Sequence, residues 1–186
     1  MSKRIKDTDH LVISARVKAM ENQLLTRDQL EQILEAKSDE EAVKLLEEHG
    51  YPPLSIRDPE ALDEALSAVR EGVLTDLADG APDIRYIDIF RSKYDYHNLK
   101  TVLKAEAMGA DPSAMMMDMG RVPAEDVREA VRTGNYDALS PILAAAAAEA
   151  REVLDTTRDP QLSDIVLDRW YYKDLSALAE DTGSAF

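Results

Sequence analysis

Histidines, paired carboxylates and clustered methionines are the residue types in this chain that could bind or catalyse, and their spacing decides the matter. The three histidines, His10, His49 and His97, are scattered, with no carboxylate at metal-ligand spacing around them. His49 falls in the last turn of a helical pattern just before Gly50, where an imidazole can bond free carbonyls and favour the dipole. Acidic runs recur at Asp39-Glu40-Glu41, Glu47-Glu48 and Glu125-Asp126. A carboxylate pair doing acid–base work needs a partly apolar pocket that separates its two pKa values. These runs sit at helix starts or on polar faces, so they read as solvated charges that favour the helix dipole. No Gly-x-Ser-x-Gly, phosphate-loop or dinucleotide fingerprint is present. The cluster Met115-Met116-Met117-Asp118-Met119 offers an adaptable apolar surface, but reads first as core filling beneath a loop. The expectation is a chain with no catalytic residue, no metal site and no cofactor.

One segment resists a purely structural reading: Tyr94-Asp95-Tyr96-His97-Asn98-Leu99-Lys100-Thr101-Val102-Leu103-Lys104. Asn98 falls on the apolar stripe of a long helix, with Asp95 one turn before it. A buried amide left unpaired costs about 1–3 kcal/mol, so a partner is expected. Asp95 and Asn98 read as internal groups that fix helix register. Arg91, Lys93, Lys100 and Lys104 make a basic patch on an acidic chain, part of which could meet an acidic partner.

The chain has 186 residues, with 22 basic and 37 acidic side chains and a net charge of −15. Nucleic acid and anionic membranes repel such a surface unless positive charge is strongly local, and the one concentrated segment, Lys3, Arg4 and Lys6, is short. Absence of cysteine excludes disulfides, thiolate metal sites and a cysteine nucleophile, and fits a cytosolic setting. No apolar signal core follows the first basic residues, so secretion is not expected. The longest apolar run, Ile142 to Ala148, is far short of the roughly 20 residues a spanning helix needs. A membrane role therefore has to run through a partner.

The elements that position these residues read as helices throughout. A first helix covers about 9–24, with Ile13, Val17, Met20 and Leu24 on one stripe. Thr26 with Gln29, and Ser38 with Glu41, form capping boxes that open two short helices. Asp58-Pro59 opens a helix that ends at Gly80. Asp83 starts the longest element, about 83–108, with Ile87, Phe90, Tyr94, Asn98, Val102 and Ala105 in line and Gly109 closing it. Pro123, Ser140-Pro141 and Asp159-Pro160 open three more, the last carrying Leu162, Ile165, Val166 and Trp170. The alanine run from Ala144 gives one helix a smooth face for close packing.

The pattern also repeats. Leu11, Ala19 and Met20 align with Leu99, Ala107 and Met108, and Leu30 and Leu34 align with Val127 and Val131. The offset changes at an insertion around Asp111 to Met119. A repeat of about 90 residues is larger than a solenoid unit and suggests duplicated helical subdomains. These are expected at 1–82 and 83–186, with the long helix linking them.

The stretch from Tyr94 to Lys104 resembles the D-x-x-N-L-K-x-x-L-R/K hallmark of the C-subunit family of V-type and A-type ATPases (ATP synthases), whose eukaryotic counterpart is the V-type ATPase d subunit. Ser14-Ala15-Arg16-Val17-Lys18-Ala19-Met20-Glu21 and the pair of short helices from Leu30 to Glu48 are similar to that family's opening. Ile165-Val166-Leu167-Asp168-Arg169-Trp170-Tyr171-Tyr172 is similar to its L-D-R-x-Y-Y segment. The resemblance implies an all-α protein, with pseudo-symmetric subdomains forming part of a three-subdomain funnel. It implies a non-catalytic component on the cytoplasmic end of the proteolipid rotor ring, receiving the central stalk and coupling ATP turnover to proton or sodium transport. Arg16, Lys100 and Lys104 would then be basic contacts. Asp95 and Asn98 would be internal fixers, and Asp168 and Arg169 an ion pair or helix-face contacts. The family continues into a third subdomain, which this chain, ending at Phe186, is expected to lack. A free-standing helical-repeat adaptor that binds partner helices is the competing reading.

Overall fold

The computed structural model describes residues 6–183, and every regular element among them is a helix. Lys3, Arg4 and Phe186 lie outside the described residues. The chain divides into two compact units, 1–82 and 83–186.

The first unit holds α1 (Leu11–Glu21), α2 (Arg27–Leu34), α3 (Asp39–Glu48) and α4 (Pro59–Gly80). A 3-10 turn, Asp7–His10, leads into α1. α1 is shorter than its periodicity implies. The amides of Gln23 and Leu24 bond back three residues to Met20 and Glu21, tightening the turn and leaving Leu24 exposed. Thr26 then restarts a helix with a reciprocal box: its hydroxyl accepts from the Gln29 amide, and the Gln29 side chain accepts from the Thr26 amide at 2.7 Å. The expected box at Ser38 is only half made. Ser38 accepts from the Glu41 amide, but the Glu41 carboxylate takes the amide of Lys37, one residue earlier. The Gln29 amide meets His49 Nδ1 at 3.3 Å and ties α2 to α3. Asp58 caps α4 through the amides of Glu60 and Ala61. α4 runs close to α1 because residue 80 is glycine: a Cβ there would stand 3.0 Å from Ile13 Cδ1. No described side chain of this unit is fully buried.

The second unit holds α5 (Arg85–Met108), α6 (Ala124–Thr133), α7 (Pro141–Thr157) and α8 (Pro160–Asp181). α5 starts at Arg85, two residues after Asp83, whose carboxylate accepts from the Arg85 amide at 3.0 Å. Its 24 residues make a rod about 36 Å long. Gly109 and Gly134 end α5 and α6 in the left-handed region, which glycine adopts without a Cβ penalty. α5 packs on α6, α7 and α8, so a broad arc of it is buried: Tyr94, Asp95, Tyr96, Asn98, Leu99, Val102, Leu103 and Ala105. Phe90 lies outside that arc and is exposed, contrary to its place in the expected stripe. Leu162 and Ile165 are likewise exposed, because α8 turns Ser163, Val166 and Leu167 inward.

Leu99, Val127, Val131, Leu143, Ala146, Ala147, Ala150 and Leu167 have zero exposure and centre the core. Each large aliphatic among them contributes about 1.5–3 kcal/mol by leaving water. The alanines bring α7 and α8 close enough for the buried Ser163 hydroxyl to donate to the Ala150 carbonyl across the contact, at 3.0 Å. The methionine cluster splits: Met119 is buried, Met116 packs on the core and Met115 is exposed.

Candidate functional site

The polar side chains of α5 converge on the segment between α5 and α6. Asn98, fully buried, clasps the backbone of Met117 twice. It donates to the carbonyl at 2.8 Å and accepts from the amide at 2.9 Å. One residue earlier on α5, His97 Nε2 meets the Met115 carbonyl at 2.9 Å. One turn earlier, Asp95 accepts from the amides of Arg121 and Val122 at 2.8 and 3.2 Å. The chain can come this close only because residue 120 is glycine, where a Cβ would lie 2.2 Å from Asp95 Oδ1. Asp118 then caps the Ala124 amide at the start of α6. The segment from Met115 to Val122, which takes in the end of the expected insertion, is thus stitched to α5 at three successive points.

Arg121 carries this stitching across to α8. Its Nε bonds Asp95 Oδ2 at 2.6 Å, and its two terminal nitrogens bond the carboxylate oxygens of Asp174 at 3.2 and 2.6 Å. The Tyr96 hydroxyl lies 3.2 Å from both Asp174 Oδ2 and the Trp170 carbonyl. Both aspartate side chains are almost wholly buried, and the Arg121 side chain is 16% exposed. A bidentate Arg–carboxylate fork is directional as well as strong.

The surroundings shift the acids. Burial pushes the Asp95 carboxyl above its ordinary value, outweighing Arg121 and the two amides that favour its charge. Burial also raises half-buried Asp88, with Arg121 and Arg91 opposing. For Arg121, burial works against the charge, but the two aspartates more than compensate and its pKa is raised. Tyr96 is raised by burial and then by the Asp174 charge, so its hydroxyl stays protonated.

The remaining expected residues pair between helices. Lys100 meets Asp168 at 2.5 Å and Lys104 meets Asp164 at 2.6 Å, a row that joins α5 to α8. Arg169 does not pair with its neighbour Asp168. It bonds Glu149 of α7, which also accepts from the Trp170 indole at 2.7 Å. Those two donors, the indole first, hold the Glu149 carboxyl below its ordinary value. Arg16 stands apart in the first unit, where it pairs with the Asp76 carboxylate at 2.7 Å and donates to the Asp76 carbonyl. Asp95, Asn98, Lys100, Lys104, Asp168 and Arg169 are therefore held on one assembly, and Arg16 on another.

Gly120, Arg121 and Asp174 escaped the sequence reading, yet each left a signal. Arg121 is the sole basic residue between Lys104 and Arg128, so it was the available partner for a buried Asp95. Asp174 lies seven residues past Leu167, on the inward stripe of α8, just as Asn98 lies on that of α5. Among the described residues, no group of three or more His, Cys, Asp or Glu is placed to hold a metal, and no helix is long and apolar enough to cross a membrane.

The sequence has relatives among known proteins. The chain is 27% identical over 128 residues to the C subunit of the A-type ATP synthase of Methanocaldococcus jannaschii, covering 63% of this chain and 32% of that protein. It is 25% identical over 168 residues to the C subunit of the V-type sodium ATPase of Enterococcus hirae, covering 90% of this chain and 51% of that protein. The chain thus spans a third to a half of the curated relatives it matches. Residues 13–186 match the profile of the ATP synthase (C/AC39) subunit family, and the chain belongs to that family.

Proposed function

We propose that the chain serves a rotary ATPase as a rigid coupling between the central stalk and the proteolipid ring, passing torque that links ATP turnover to proton or sodium transport. On this reading it performs no reaction, and it reaches the membrane's cytoplasmic face only through the complex. The observation that carries it is the Asp95–Arg121–Asp174 bridge, supported by the Asn98 clasp. The buried Asp95 and Asp174 carboxylates share the Arg121 guanidinium, and with Asn98 they tie together a 24-residue rod, a 22-residue helix and the segment between α5 and α6. Torque transfer needs stiffness, and a packed interior with directional polar bonds resists shear. In this reading Asp95, Asn98, Lys100, Lys104, Asp168 and Arg169 keep the register of the second unit, and Arg16 keeps that of α1 on α4.

The two units are inferred to be copies of one module. Each has four α-helices among the described residues. The second α-helix is capped by Thr26 in one and follows Pro123 in the other. The last helix has 22 residues in both and opens with Asp-Pro, at Asp58-Pro59 and Asp159-Pro160.

The test is association of the folded chain with a recombinant central-stalk protein at near-physiological salt, followed by reconstitution with the rest of the complex. Binding, with ATP hydrolysis and ion transport tightly linked, is the expected result. No association, or full coupling without the chain, overturns the reading.

A further inference from the structure

The two halves of α8 are held by different forces. Of its four buried residues, Ser163, Val166 and Leu167 lie in the first half and only Asp174 lies in the second. The apolar core stops at Trp170 and Tyr171, and beyond it Leu175 and Leu178 are only half-buried. What fastens this end to α5 is chiefly polar. Asp174 is gripped by Arg121, Tyr96 reaches Asp174 and the Trp170 carbonyl, and Arg85 donates to the Asp181 carbonyl. A bidentate fork depends on direction as well as distance, so it is lost once its geometry is lost. Arg121 itself sits on an irregular segment, positioned by Asp95 and by the close approach at Gly120.

We propose that residues 172–181 form a hinged arm fastened to α5 by the Arg121 clasp, and that opening the clasp frees the arm while the core of the second unit stays folded. The hinge lies where the apolar core ends, near Trp170. This does not depend on the rotary reading, since it concerns only how the second unit comes apart.

Hydrogen exchange on the whole chain tests it, with Arg121→Met, Asp174→Asn and the milder Tyr96→Phe. Amides of 172–181 should exchange on the order of 10²-fold faster in Arg121→Met, since an abandoned buried carboxylate loses its counter-charge. Tyr96→Phe should give a smaller change at the same amides. Amides of 99–105 and 143–154 should change by no more than about threefold, as expected of a separate cooperative unit. Loss of protection throughout the second unit would overturn the proposal, as would unchanged exchange in 172–181. Failure of all three variants to fold would overturn it too, because the core is held to be independent of the clasp.

Discussion

Gly120 leaves no room for a methyl group against Asp95, so Gly120→Ala tests the stitched segment at its tightest point. The backbone would have to retreat and loosen the two amide bonds to Asp95. A loss of about 2–3 kcal/mol is expected in urea unfolding, in the range of overpacked sites. Asp95→Leu should cost more, about 3–5 kcal/mol, because it leaves the Arg121 charge without one of its two partners. Asn98→Leu keeps the volume but abandons both backbone groups of Met117, and should cost about 2–4 kcal/mol. A wild-type unfolding midpoint in any of the three would refute the role assigned to that residue. Asn98 and Asp95 could be picked out in the sequence because polar residues on an apolar stripe demand partners. The partners could not, since they lie on an irregular segment whose path no periodicity encodes.

At the level of elements, the alanine face of α7 sets its distance from α8. Ala147→Leu should destabilise the second unit by about 1–3 kcal/mol, read by thermal melting, because Ala147 has zero exposure and added methylenes in a packed core force neighbours to shift. The Lys100–Asp168 and Lys104–Asp164 row should contribute far less. Double-mutant cycles should return at most about 1 kcal/mol per pair, since each pair has a partner open to water. Helix identities and most of their caps were legible, because Thr26, Asp58, Ser140 and Asp159 announce themselves by residue type and offset. Which flank of a helix is inward was less so. Phe90 and Ile165 fit a simple stripe, yet α5 and α8 turn them outward, because several neighbours widen and rotate the buried arc. The segment resembling the family's L-D-R-x-Y-Y motif also spread further than its spacing suggested: Asp168 went to α5 and Arg169 to α7.

Over the whole molecule, acid has a predictable effect. Asp95 and Asp88 titrate above the ordinary aspartate value, so the folded chain takes up protons more readily there than the unfolded chain. Stability therefore rises as pH falls from neutral, and that gain is complete near the ordinary value of about 3.9. Relief of repulsion among charges that sum to −15 acts in the same direction. Glu149, Asp83 and Glu129 are held below their ordinary values, so their contribution is whole at neutral pH and is lost progressively as pH falls through the ordinary carboxylate range and below it. Denaturation followed from pH 7 to pH 3 should show a maximum on the acid side, flattened by Asp88→Asn. A monotonic fall would contradict this.

The absence of any fully buried described side chain between residues 6 and 82 carries a practical consequence. Peptide bonds there open to solvent with little penalty, while those of the second unit sit over a sealed interior. Under sparing trypsin, the well-exposed Arg27, Arg57 and Arg70 should be nicked first. A resistant remnant beginning at Glu71 should accumulate, since no lysine or arginine lies between Arg70 and Arg85, and it should still be helical by circular dichroism.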